Sequence, residues 1–255
     1  MTDLPATVLT EEFEAHGCRI IAERAGAESA KVTYVLVHGI GMGRRVFGDL
    51  VAQLQESALI AAVDLPGYGD APEPPRTPTI ERMADLIADY IRHLDRGPVV
   101  LVGHSMGSQV AAEVAARHPE TVSHLVLVAP TVDRHARHPV LQFGRLLADI
   151  YDESPKVLYL GAREYLRAGP NLPAKIRAMF RHRPELIYPK VQAPALVIRG
   201  GVDRLSPRRW CEEVAAALPD SRMAVVARRG HETLIADAAD AAAAIRSFVA
   251  ETAQT

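Results

Sequence analysis

Short runs of apolar residues alternate along this chain with stretches whose apolar positions recur every three or four residues. The runs Lys31 to His38, Leu59 to Asp64, Pro98 to Val102, Val122 to Ala129 and Ala195 to Arg199 are almost continuously apolar, as strands buried on both faces are. Arg222 to Ala227 reads as a further strand, and Glu11 to Glu23 reads as two strands around His16-Gly17, a hairpin signal. Between them, Arg44 to Glu56, Thr79 to Leu94, Gln109 to Arg117, Pro207 to Leu218 and Glu232 to Ala250 have helical spacing. In the second of these, Ile80, Met83, Leu86, Ile87 and Ile91 fall on one face. The alternation predicts an α/β fold: a mostly parallel central sheet, right-handed crossovers and helices on both faces.

From Thr131 to about Pro189 the alternation stops, and helical and loop patterns appear with no convincing strand. This predicts a core made of residues 1–130 and 191–255, interrupted after the strand ending near Ala129 by a helical cap at 131–190. Open α/β sheets bind ligands at the carboxyl ends of their strands, where such a cap would sit. The segment carries eleven basic against six acidic residues. Charges on a small exposed cap are ordinarily solvated, with steering of an anionic substrate as the alternative. His135 and His138 suggest no metal site, since no carboxylate or thiol completes the set. Arg44 and Arg45, opening a helix side by side, are expected to be solvated.

At 255 residues and 48% hydrophobic, the chain has enough apolar mass for one packed core with an inserted subdomain. A net charge of -2 argues against a nucleic-acid partner. No apolar run is long enough to cross a bilayer, and no signal-peptide pattern opens the chain, so a cytoplasmic protein is expected. Cys18 and Cys211 are too few for a disulfide framework.

The candidate chemistry lies at Gly103-His104-Ser105-Met106-Gly107, between a predicted strand and a predicted helix. A glycine on each side permits a turn too tight for a Cβ. The central serine is then strained and lifted clear of the sheet above a helix N-terminus, the arrangement of a nucleophile elbow. A serine hydroxyl needs a base, and the base needs an orienting group. His231 follows a strand near the C-terminus and is the candidate base; Asp203, just past another strand, is the preferred orienting acid, with Asp133 as the alternative. The order Ser, Asp, His differs from that of the two serine-protease types. A tetrahedral oxyanion also needs donors: the N–H of Met106 and, from His38-Gly39-Ile40-Gly41, the N–H of Ile40, or alternatively that of Gly41. His38 is expected to support that loop, and the two glycines, Gly39 and Gly41, to let it turn.

Taken in order, His38-Gly39-Ile40-Gly41, Asp64-Leu65-Pro66-Gly67-Tyr68-Gly69, Gly103-His104-Ser105-Met106-Gly107, Gly201-Val202-Asp203 and Gly230-His231 resemble the α/β-hydrolase superfamily. The likeness is to its cap-bearing serine hydrolase branch, which includes carboxylesterases, meta-cleavage-product hydrolases and cofactor-free haloperoxidases. That resemblance implies the fold and a Ser105–His231–Asp203 triad working without cofactor or metal on a small-molecule substrate. Serine at the elbow speaks against epoxide hydrolase and haloalkane dehalogenase activity, which use aspartate there. The leading reading is hydrolysis of a carboxylic ester of a small or medium apolar substrate through an acyl-enzyme. Carbon–carbon bond, lactone and thioester hydrolysis on the same triad are alternatives, and a ligand receptor on a hydrolase scaffold is a reading of another class.

Overall fold

The structure is a computed structural model that describes residues 9–138, 171–235 and 237–252. His16 and Gly17 both have positive φ, 55° and 67°, the pattern of the type I′ turn that suits the right-handed twist of a two-stranded ribbon. They join β1 (Leu9–Ala15) to β2 (Cys18–Gly26) in an antiparallel pair. The remaining strands are β3 (Thr33–Val37), β4 (Leu59–Asp64), β5 (Val99–His104), β6 (Val122–Val128), β7 (Ala195–Gly200) and β8 (Ser221–Val226). They form one sheet of order β1-β2-β4-β3-β5-β6-β7-β8. Pairing is parallel from β4 through β8 and antiparallel at β1–β2 and β2–β4. The expected α/β architecture is the one observed.

The two-residue period of a strand sorts its side chains onto two faces. Val35, Leu101, Leu125 and Val197 point into one core. It is covered by α2 (Ile80–His93), α3 (Met106–Arg117) and, beyond the insertion, α5 (Arg208–Ala217). Leu36, Val100, Val126 and Ile198 point into the other, covered by α1 (Gly48–Leu54) and α6 (Ala239–Thr252). The central strands are therefore buried on both sides, which is why they read as unbroken apolar runs. Thr79 caps α2 by accepting the Arg82 N–H at 3.3 Å, and the five apolar positions picked out by helical spacing are all buried.

Two expectations are corrected. The last helix starts at Ala239, not Glu232. Leu234 and Ile235 are buried in a turn after His231, held by the Thr233 hydroxyl donating to the Gly230 carbonyl at 2.8 Å and the Ile235 N–H to the Glu232 carbonyl at 2.7 Å. Arg45 is exposed as expected, but Arg44 is buried. Its guanidinium pairs with Asp64 and, at 2.9 Å, with Asp70, and its N–H donates to Asp64 at 2.5 Å. Asp64 ends an otherwise apolar strand, so its charge needs this partner.

Of the expected cap, residues 139–170 lie outside the described residues. The flanking segments carry α4 (Leu172–Arg181) and three short 3-10 turns, at Arg134–Ala136, Pro184–Leu186 and Tyr188–Lys190. Arg137 ties these flanks together by donating to the carbonyl of His182 and pairing with Glu185 at 2.7 Å. Strand β3 has β4 on one side and β5 on the other, so the chain changes direction of winding here. Such a switch opens a crevice at the carboxyl ends of β3 and β5.

Candidate active site

The elbow occupies that crevice. Ser105 follows β5 directly, with φ 54° and ψ -118°, a conformation that costs free energy for any residue with a Cβ. Its N–H donates to the Val128 carbonyl at 2.9 Å, which fixes the turn to β6. A Cβ on Gly103 would lie 2.3 Å from the Gly107 carbonyl oxygen, and one on Gly107 would lie 2.2 Å from that of Val37. The two glycines thus allow α3 to start against the ends of β3 and β5. Ser105 itself is only 5% exposed, not open above the sheet, because Gly39 and His231 close in on it from either side.

His231 Nε2 lies 3.0 Å from Ser105 Oγ, and its Nδ1 lies 3.1 Å from Asp203 Oδ2. A carboxylate only accepts, so Nδ1 carries the proton and the Nε2 lone pair faces the serine hydroxyl. The loop after β7 places the acid. Asp203 Oδ1 accepts the Ser206 N–H at 2.7 Å, and its backbone carbonyl accepts from the buried Arg199 guanidinium at 3.2 Å. Burial pushes the Asp203 carboxyl up, but the adjoining His231 and the N–H groups of Ser206 and Leu205 outweigh it. The group is held below the usual carboxylate range. Loops 201–203 and 227–231 are joined by the Gly201 N–H to the Val226 carbonyl at 2.8 Å and the Val202 N–H to the Arg229 carbonyl at 3.0 Å. Asp133, the alternative acid, accepts the His135 N–H at 2.9 Å through Oδ1 and caps the 134–136 turn.

Met106 is the first residue of α3, so its N–H has no acceptor within its own helix and lies at the positive end of the helix dipole. Opposite, the turn Gly39–Met42 is closed by the Met42 N–H to the Gly39 carbonyl at 3.3 Å, with Gly41 at φ 70°. A Cβ on Gly39 would lie 2.9 Å from Ser105 Cβ and 3.4 Å from its Oγ, so this turn packs directly on the serine. His38 holds the turn. Its Nε2 accepts the Leu65 N–H at 3.0 Å, which leaves Nδ1 protonated to donate to the Gly39 carbonyl at 2.7 Å. Burial holds His38 below the ordinary imidazole range, against the pull of Asp64.

Three further side chains shape the site without having been singled out from the sequence. Arg199 is the one basic residue in β7, a signal that could have flagged it. Lys175 of α4 is buried over the Tyr68 ring, 4.4 Å from its centre, with Nζ 2.5 Å from the Gly67 carbonyl and 2.8 Å from Glu73. Tyr68 in turn packs edge-on against His38 and reaches Met106 Sδ at 3.7 Å, so this lysine braces the floor beneath the candidate oxyanion donors. His104 donates from Nε2 to the His231 carbonyl at 2.9 Å. Burial, reinforced by the neighbouring His231, pulls its pKa down to about 3.

His104 therefore stays neutral when folded, while the unfolded chain takes up a proton near the ordinary value of 6.5. The stability it contributes is complete above pH 6.5 and is lost as pH falls from there toward 3. His104→Gln, which keeps an N–H donor, is expected to flatten the fall in urea midpoint across that window. A wild-type slope in the variant would assign the acid sensitivity elsewhere.

Residues 34–245 match the model of a family described as "Alpha/beta hydrolase family". The chain is 31% identical over 258 residues to a pimeloyl-[acyl-carrier protein] methyl ester esterase of Neisseria meningitidis serogroup A, covering 89% of this chain and 80% of that protein. It is 27% identical over 225 residues to a 2-(acetamidomethylene)succinate hydrolase of Mesorhizobium japonicum, covering 76% of this chain and 79% of the other. The structure of a thermophilic esterase from Thermogutta terrifontis superposes with a TM-score of 0.80 at 24% identity, over 96% of this chain and 99% of that one, a likeness that speaks for the fold. No helix among the described residues is long and apolar enough to cross a membrane.

Proposed function

Because the chain belongs to the alpha/beta hydrolase family, we propose that it is a serine esterase that cleaves a carboxylic ester of a small or medium, mainly apolar substrate. The observation that carries this is the continuous run from Ser105 Oγ through His231 to Asp203, at 3.0 and 3.1 Å. Ser105 Oγ attacks the ester carbonyl while His231 Nε2 takes its proton. The resulting oxyanion is met by the N–H groups of Met106 and Ile40, and Asp203 stabilises the imidazolium. His231 returns the proton to the leaving alcohol as the C–O bond breaks. Water, deprotonated by the same histidine, then releases the acid and restores Ser105. The relatives named as pimeloyl-[acyl-carrier protein] methyl ester esterases support an ester as the scissile bond.

We further propose a small-molecule substrate and a helical cap at residues 131–190. Support for the cap comes from α4, whose Lys175 is seated on the loop beside His38. The test is a chain-length series of p-nitrophenyl esters with wild type and Ser105→Ala. Turnover by wild type that drops by about 10⁶-fold in the variant is expected, with a burst of p-nitrophenol equal to the enzyme present. An inactive wild type, or equal turnover by both proteins, would refute the esterase reading.

A further inference from the structure

Away from Ser105, one group of side chains gathers negative charge around a single imidazole. Glu113 on α3 and His182, the residue that ends α4, meet with Nε2 2.7 Å from Oε1, each side chain 3% exposed. Glu81, in the first turn of α2, brings a second carboxylate. One donor atom from each of the three lies within 4.8 Å of the other two. Two carboxylates at that separation repel. Partial burial pushes the Glu81 carboxyl up, but hydrogen bonds from the Thr79 side chain and the Glu81 backbone, with the charges of His182 and Arg117, hold it below the usual carboxylate range. The other nitrogen of His182, Nδ1, is buried without a hydrogen-bond partner, so the pairing with Glu113 leaves the ring incompletely satisfied.

The guanidinium of Arg117 also acts on the Glu81 carboxylate through its charge. Arg117 donates to the Glu81 backbone carbonyl at 3.0 Å and pairs with Asp85 at 3.0 Å. Arg137 donates to the His182 carbonyl and pairs with Glu185. A divalent cation held by the imidazole and both carboxylates would bring the cluster to neutrality. The donor set selects among cations. One nitrogen and two carboxylate oxygens suit a borderline first-row ion, while calcium and magnesium favour all-oxygen shells with more ligands. Glu113 and His182 form a buried floor, and Glu81 is exposed, which leaves room for water at the remaining positions.

We propose that Glu81, Glu113 and His182 form a binding site for a first-row divalent cation, zinc foremost, that fastens the end of α4 to α2 and α3. The ligands come from three elements far apart in the chain, so no spacing motif announces them. The site is separate from Ser105 and needs no part of the esterase mechanism. Its occupancy would instead set how firmly the C-terminal foot of the 131–190 segment is held to the core.

The test is calorimetric titration of tag-free, chelator-stripped full-length protein with zinc chloride at neutral pH, with thermal unfolding measured in parallel. The expected result is one site per chain and a higher Tm with zinc. Both effects should weaken at least about tenfold in Glu81→Gln, whose exposed side chain makes misfolding an unneeded explanation, and in His182→Gln. His231→Ala should bind as wild type does. No zinc binding, binding unchanged in Glu81→Gln and His182→Gln, or binding lost only in His231→Ala would each overturn the proposal.

Discussion

Asp203→Asn is expected to lower kcat by about 10⁴-fold while the protein folds normally and KM changes little. The direction follows from how the acid is held. Asp203 Oδ1 accepts the Ser206 N–H at 2.7 Å, so an asparagine would place its amide oxygen there and turn its NH₂ toward His231. His231 Nδ1 would then have to accept, which moves the ring proton to Nε2 and points an N–H at Ser105. A base in that tautomer cannot take the serine proton. Steady-state kinetics on a p-nitrophenyl ester, with circular dichroism as the folding control, measures the effect. Asp133→Asn is the companion variant. It loses the cap on the 134–136 turn and should keep kcat close to wild type. The reverse outcome would transfer the acid role to Asp133.

Gly107→Ala carries the second large effect, on both stability and activity. The added methyl would sit 2.2 Å from the Val37 carbonyl oxygen and 2.6 Å from that of His38. Both neighbours are backbone, so relief requires α3 to move away from the end of β3. Overpacking of this kind costs roughly 1–3 kcal/mol, and the upper end applies where no flexible side chain can give way. For a chain of this size that corresponds to a Tm lower by roughly 6–12 °C. Because the same displacement separates Met106 from the 38–42 loop, kcat should fall by on the order of 10²-fold even at temperatures where the variant is folded. Scanning calorimetry and kinetics below the transition test the two parts. A variant as stable and active as wild type would mean that the elbow is looser than these distances describe.

The parts of the molecule legible in its sequence are those set by local pattern. Strands β3, β5, β6 and β7 are buried on both faces, so they announce themselves as apolar runs, and His16-Gly17 marks its hairpin because few residue pairs tolerate two positive φ values. Ser105 and His231 stand out because the elbow requires glycines at fixed spacing and because loops at strand ends present functional groups. Asp203 and Asp133 both follow a strand, so sequence offers two acids. The folding of 201–206 against 227–231, which local pattern does not announce, brings Asp203 to His231.

What stayed hidden depends on partners distant in the chain. Burial of Arg44 is decided by Asp64 and Asp70, and burial of Lys175 by Gly67 and Glu73. The late start of α6 was missed because nothing in Glu232–Asp237 breaks a helical period. The turn there is imposed by His231 facing the elbow and by Thr233 bonding back to Gly230.

The esterase mechanism requires Ser105 to act as a nucleophile that becomes covalently modified. Incubating wild type and Ser105→Ala with a fluorophosphonate, followed by intact-mass measurement and peptide mapping, reads that nucleophile out. One adduct per chain on the peptide containing Ser105, absent from the variant, is the predicted result. An unmodified wild type, or an adduct that persists in Ser105→Ala, would contradict it.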